Sequence, residues 1–311
     1  MKRGVLYGGL AGATWGLVLL IPGLLPEFGP LLLSCARYGL YGLVSLLIAL
    51  PVAPGLLRRL NLRDALKLVE LALTGNLLYY LLLASAVQLA GVAIAALIVG
   101  VVPLTVALLG RREADALPLG RLALPLLLVL GGIACINLET LLFDPAPARP
   151  LEERLLGVAC AFGALLCWTA FAAANARHLK QSRFSSGEWS TLWGIVTGLL
   201  AAVLWLGAAV LFPDSLRVEA GESRWLAFWG LSLAAALLAS WLGNLLWNAA
   251  SRRLPLTLSG QLIVFETLFA LLYGFLYLQR GPTPLEGLAI VLLIGGVLWA
   301  VRRHAPSGAP A

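Results

Sequence analysis

The stretch PLTVALLG, residues 103–110, is answered 164 positions later by TLFALLYG, residues 267–274, and the pair Gly131, Gly132 is answered by Gly295, Gly296 at the same offset. One offset shared by two consecutive apolar runs marks an internal duplication. Nearer the start, Gly4 and Trp15 find counterparts in Gly157 and Trp168, both 153 residues on. The difference between the offsets requires a net eleven extra residues before the later match, which a longer connection absorbs.

Working outward from these landmarks, ten apolar stretches divide the chain, at residues 4–21, 31–50, 66–87, 92–110, 122–142, 155–176, 189–212, 225–250, 256–278 and 285–301. Most reach the roughly 20 residues a helix needs to cross a hydrocarbon core of about 30 Å. The runs are continuous and lack the two-residue alternation of a barrel wall. With 60% apolar and 12% charged residues and a mean hydropathy of +0.93, the chain is unlike a water-soluble globular domain. The expected fold is therefore an all-α integral membrane protein of ten transmembrane helices. Met1, Lys2 and Arg3 precede the first stretch, but no small-residue cleavage site follows it, so it is read as a retained helix.

The ten stretches fall into two sets of five, with expected units at residues 1–146 and 150–304 and a short cytoplasmic tail at 305–311. An odd number of crossings makes the second unit enter the membrane from the opposite side. The repeats are thus expected to be inverted, around a central cavity where transporters of this build hold substrate. Sixteen basic residues fall at the termini and in the even-numbered connections, among them Arg58, Arg59, Arg112, Arg177, Arg183 and Arg252, against five in the odd-numbered ones. Basic residues resist translocation, so both termini are expected on the cytoplasmic side. Acids such as Glu27, Asp144, Glu152, Glu222 and Glu286 collect on the other side. The net charge of +7 then reads as a topology signal that also favours anionic membrane lipid, with no nucleic-acid partner implied.

Cys35, Cys135, Cys160 and Cys167 lie inside apolar stretches without metal-ligand spacing, and His178 and His304 fall at helix ends, where they read as facing headgroups. No metal site or cofactor is expected. The chain holds no GxxxxGK[ST] run for ATP, and a membrane enzyme would need an acid/base pair or a nucleophile with its base that the mid-membrane residues do not supply. A channel or a sensor stays open at this point.

Trp15 in a Gly-rich first helix, Arg37 early in the second, Pro103 in the fourth, Glu266 in the ninth and the double glycines of the fifth and tenth together resemble the drug/metabolite transporter superfamily in its ten-helix EamA-like branch. The resemblance covers nearly the whole chain. Length and aromatic-rich central helices look most like the YddG-type amino-acid exporters of the bacterial inner membrane. It implies a secondary carrier that exports small amphipathic metabolites, amino acids and aromatic ones among them, by alternating access, with protons as a candidate co-substrate. A drug, sugar or nucleotide-sugar permease is the alternative. One departure stands out: Thr267 follows Glu266 where the family often carries proline, which puts a proline kink there in doubt.

Polar atoms within lipid need partners, so polar stripes should face the bundle interior or a wet cavity. In the eighth stretch Ser240, Asn244, Asn248 and Ser251 recur at helical spacing beside Trp241; in the third, Asn76 and Tyr80 share a face with Tyr79 adjacent. With Trp168, these offer amide groups and ring faces to a substrate. The competing reading is interhelical glue, at roughly 1–2 kcal/mol or less per contact. Glu266 is the one mid-stretch carboxylate, a proton or ammonium site or else a structural acceptor, with Gln261 a turn earlier. Pro103 beside Gly100 suggests a hinge. Arg37 is shallow enough to snorkel outward in a structural role, and Trp189, Trp225, Trp229 and Trp299 read as interfacial belt anchors.

Overall fold

The computed structural model describes residues 1–18, 20–111, 113, 116–143 and 149–304; Arg112, Asp144, the unit boundary at 146 and the 305–311 tail lie outside the described residues. Among these residues every regular element is helical. Among the described residues, eight helices are long and apolar enough to cross a membrane. Helix α1 is Lys2–Val18, 17 residues. Then come α2 (Pro30–Arg59) and α3 (Leu62–Ala90). The fourth apolar stretch is divided into α4 (Val92–Val99) and α5 (Val102–Gly110). There follow α6 (Leu119–Phe143), α7 (Leu151–Gln181) and α8 (Ser186–Leu211). The last three are α9 (Glu222–Ser251), α10 (Leu256–Leu278) and α11 (Pro284–His304).

Local chemistry sets the ends of these elements. Pro30 starts α2 at a position where its missing N–H costs nothing. Capping boxes open α3, where Asn61 and Asp64 each satisfy the other's backbone N–H, and α8, where Ser185 and Glu188 do the same. Gly91, at φ 92°, parts α3 from α4 in a conformation a side chain would oppose. Between α4 and α5 the helical ladder breaks at Gly100 and Val101, because Pro103 has no N–H to offer the carbonyl four residues earlier. Two long helices carry π-helical segments, Leu73–Leu77 inside α3 and Ala235–Leu242 inside α9. Helix α10 is interrupted once, at Ile263, without a proline.

Packing follows small residues. The dominant helix pairs are α6 with α11, α2 with α8, α3 with α7, and α1 with both α9 and α10. Where α2 crosses α8, Gly42 and Gly198 meet backbone to backbone: a Cβ built on Gly42 would lie 2.6 Å from the Gly198 Cα. A Cβ on Gly12 of α1 would lie 2.8 Å from the Glu266 nitrogen of α10, and one on Gly16 would lie 2.9 Å from that of Ala270. Small residues let backbones approach closely, which is how helices gain contact when lipid tails offer no hydrophobic advantage. Outward positions such as Leu47, Val203, Val210 and Leu226 are exposed, as a lipid-facing surface requires.

Three interfacial readings need correction. Trp189 is fully buried; its indole N–H donates to the Asn175 Oδ1 at 3.1 Å and its ring stacks on His178 at 4.4 Å. His178 therefore turns inward, with Nε2 3.3 Å from the Asp64 Oδ1. His304 likewise meets the Thr257 hydroxyl at 3.0 Å. Proximity to a helix end suggested headgroup contact in each case, but partners on neighbouring helices engage the side chains instead. Trp229 and Trp299 stay exposed, and Trp225 packs edge-on against Phe28.

Candidate functional site

A cavity of about 160 Å³ lies among α1, α2, α3, α7, α8, α9 and α10. Helix α2 contributes Ser34, Arg37 and Tyr38, spaced so that all three share one face; α3 contributes Asn76, Tyr79 and Tyr80 from its π-helical segment and the turn beyond it. Trp15, Trp168, Phe171 and Trp193 supply ring surface, and Ser232, Asn244 and Glu266 complete the polar lining.

Glu266 owes its position to the interruption of α10, which places it in the first turn of the segment Val264–Leu278. Its backbone N–H donates to the Ile263 carbonyl at 2.9 Å, and the glycine face of α1 presses against it from behind. Its carboxylate has no hydrogen bond or ion pair with any described residue. Arg37, instead of snorkelling outward, is held in the same cavity: its Nε donates to the Ser240 hydroxyl at 3.0 Å, and its guanidinium carbon sits 5.1 Å from the centre of the Tyr38 ring. The length along α2 suggested an outward path; the π-helical segment of α9, which carries Ser240, intercepts the side chain first.

The amides are anchored from outside the cavity. Asn76 donates to the Thr197 hydroxyl at 3.0 Å, and Asn244 to the Tyr41 hydroxyl at 3.3 Å, which itself donates to the Ser190 carbonyl at 2.7 Å. Trp247 lies beneath the aromatic lining, with ring centres 5.3 Å from Trp15 and 5.9 Å from Trp168, while Phe171 stacks on Trp193 at 4.9 Å. The Trp15 N–H donates to the Ala239 carbonyl at 3.0 Å. Two buried lining groups lack a partner among the described residues: the Trp193 N–H and the Ser34 hydroxyl.

Of the residues singled out in sequence, Asn76, Tyr79, Tyr80, Trp168, Asn244 and Glu266 line this cavity; three others do not. Trp241 donates to the Thr191 hydroxyl at 3.0 Å between α8 and α9. Asn248 is fully buried and accepts from Asn175 Nδ2 at 2.9 Å, and Gln261, equally buried, donates to the Thr257 carbonyl at 3.2 Å within its own helix. The polar stripe of α9 is continuous, but the cavity ends before the stripe does. Gly100 and Pro103 sit at the α4–α5 break, away from the lining. The sequence reading gave Arg37 a structural role and Trp15 only a landmark's place, and it missed Tyr38 and Ser34, whose signal was present as a spacing of three and four with Arg37 on α2, and the rings of Phe171 and Trp193.

Residues 2–138 match the EamA-like transporter family. The chain is 38% identical, across 97% of its own length and 96% of the other's, to the inner membrane protein YtfF of Escherichia coli strain K12. A solved crystal structure covering 98% of both chains is similar with a TM-score of 0.73 at 20% identity, a likeness of fold. The match to YtfF runs through both halves, and with it the polar cavity among membrane-length helices finds its context: the chain belongs to the EamA-like transporter family of the drug/metabolite transporter superfamily, as a multi-pass membrane protein.

Proposed function

We propose that the protein is a secondary carrier of the bacterial inner membrane that exports small amphipathic metabolites, amino acids including aromatic ones, by alternating access in the manner of the YddG-type exporters. The observation that carries this reading is one cavity that holds a cation, Arg37, and an unpaired carboxylate, Glu266, between aromatic walls. A guanidinium grips a carboxylate through paired N–H donors. An ammonium group finds the Glu266 carboxylate and the faces of the tyrosine rings. The side chain of such a solute then rests against Trp168 and Phe171, the mix of apolar wall and few polar anchors typical of ligand pockets. At about 10–15 Å³ of accessible space per water-sized sphere, the cavity of about 160 Å³ has room for roughly 11–16 such spheres, the scale of an amino acid.

Two inverted repeats are supported by reciprocal close approaches. Gly132 of α6 abuts Leu293 of α11, and Gly296 of α11 abuts Val129 of α6, each pair the other's image at an offset of 164. Gly4 abuts Leu254 and Gly157 abuts Ala90 in the same way, with offsets of 153 and 164. A pseudo-two-fold axis through the α2–α8 and α6–α11 contacts generates all of these. The basic termini support cytoplasmic ends.

The test is flux in proteoliposomes. Labelled aromatic amino acids should show saturable uptake and counterflow, and an imposed pH gradient should drive accumulation that Glu266→Gln abolishes. If amino acids neither move nor compete, the substrate assignment fails; equal rates in the Glu266 variant with and without the gradient would make the carboxylate structural.

A further inference from the structure

Two ion pairs tie the halves together at opposite ends of α2, and they occupy matching places. Before α2 begins, Glu27 takes both the Nε and the Nη2 of Arg224, the latter at 2.9 Å, and the same Nη2 donates to the Leu24 carbonyl at 2.7 Å. This grip holds the Glu27 carboxyl below the usual carboxylate range. Beyond the other end of α2, Arg183 donates to the Asp64 Oδ2 at 2.9 Å. Between the two lie the α-helical part of α2, Pro30–Ala49, about 30 Å at 1.5 Å per residue, then the 3-10 turn Leu50–Val52 and the short helix Ala53–Arg59.

The correspondence is residue by residue. Glu27 and Arg183 stand 156 positions apart, as do the buried Phe28 and Phe184 that follow them, the first residues Pro30 and Ser186 of the next helices, and Gly42 and Gly198 at the axis. Asp64 and Arg224 are each the third residue of their helix, α3 and α9, and stand 160 apart. Each pair joins the connection before α2 or α8 to the start of the helix two further along in the other half. Acid and base have changed places between the two ends.

We infer that Glu27–Arg224 and Asp64–Arg183 are the paired gates of the carrier cycle, one at each membrane face, broken in alternation so that the cavity opens to one side at a time. This rests on the alternating-access reading given above. Both pairs are formed here, and the cavity lined by Arg37 and Glu266 lies between them along α2. At the Asp64 end further inter-half pairs, Arg59 with Glu188 and Glu113 with Arg177 and Lys180, add to the closure, and His178 Nε2 lies 3.3 Å from the Asp64 Oδ1.

The test uses full-length protein with the four cysteines replaced and a reporter, Ser34→Cys, in the cavity. A membrane-impermeant maleimide is added from either side of oriented vesicles. Glu27→Gln should speed labelling at least tenfold from the face where Glu27 lies, and Arg183→Gln from the opposite face. The charge exchange Glu27→Arg with Arg224→Glu should return the rate to that of the parent, which separates a gate from a merely misfolded variant. Acceleration from the same face by both variants, no change in either, or failure of the exchange to restore closure would overturn the proposal. Flux is read separately: labelling that shifts in a protein without transport leaves the gates standing and removes the carrier reading, whereas saturable transport with unmoved labelling does the reverse.

Discussion

Arg37 is worth more to the site than its depth along α2 suggests, because it is tethered through one nitrogen only. With Nε held by Ser240, the two terminal nitrogens remain for a ligand carboxylate, in the forked geometry that lysine lacks. Arg37→Lys should therefore weaken amino-acid binding by about tenfold and Arg37→Gln by about a hundredfold, roughly 1.4 and 2.8 kcal/mol, measured as quenching of tryptophan fluorescence on titration. An unchanged affinity in Arg37→Gln would remove the carboxylate contact. Glu266, Asn76 and Asn244 were legible in the sequence because a polar atom in an apolar run is conspicuous. Asn248 and Gln261 looked the same but lie away from the cavity, with Asn248 Oδ1 on Asn175 and Gln261 Nε2 on the helix's own backbone. What separates the two sets is where the cavity ends, a tertiary fact that no single helix encodes.

Among the elements, the glycine face of α1 does the most to position the site. Gly12 and Gly16 bring α1 against the backbone of α10, and Gly8 makes room for the Leu262 side chain, so the backbone that carries Glu266 is fixed by contact. A bulky residue must push the helices apart, and overpacking of this kind costs about 1–3 kcal/mol. Gly12→Leu should lower the melting temperature in detergent and reduce transport, whereas Gly207→Leu, at a position with open space around it, should do neither. The sequence showed helices and their order well, since continuous apolar runs of this length have few other solutions. It did not show the π-helical segments of α3 and α9 or the break at Ile263. Those depend on how neighbouring helices satisfy backbone groups, and Thr267 in place of proline even argued against an interruption near Glu266.

At the scale of the whole molecule, shared offsets in the sequence point to a duplication, and the proposed inverted repeats turn it into a testable symmetry. If the halves are images of each other, a defect at one position should resemble the defect at its counterpart. Gly132→Val and Gly296→Val should thus destabilise the protein by similar amounts, within about 0.5 kcal/mol, in parallel thermal melts. Unequal effects would mean that the α6–α11 contact is not symmetric. The chemistry, by contrast, should not be shared, because Arg37 and Glu266 have no charged counterparts in the opposite halves at Arg37's α8 image, Trp193, or at Val102.

The unpartnered groups in the cavity wall carry a practical consequence. The Trp193 N–H and the Ser34 hydroxyl are buried without a described partner, and such a group costs about 1–3 kcal/mol. A solute that satisfies them acts as a missing piece of the folded protein and raises its melting temperature by mass action. A thermal-shift screen of a metabolite library should therefore rank candidate cargo directly, in detergent, with no membrane gradient and no assumption about the direction of transport.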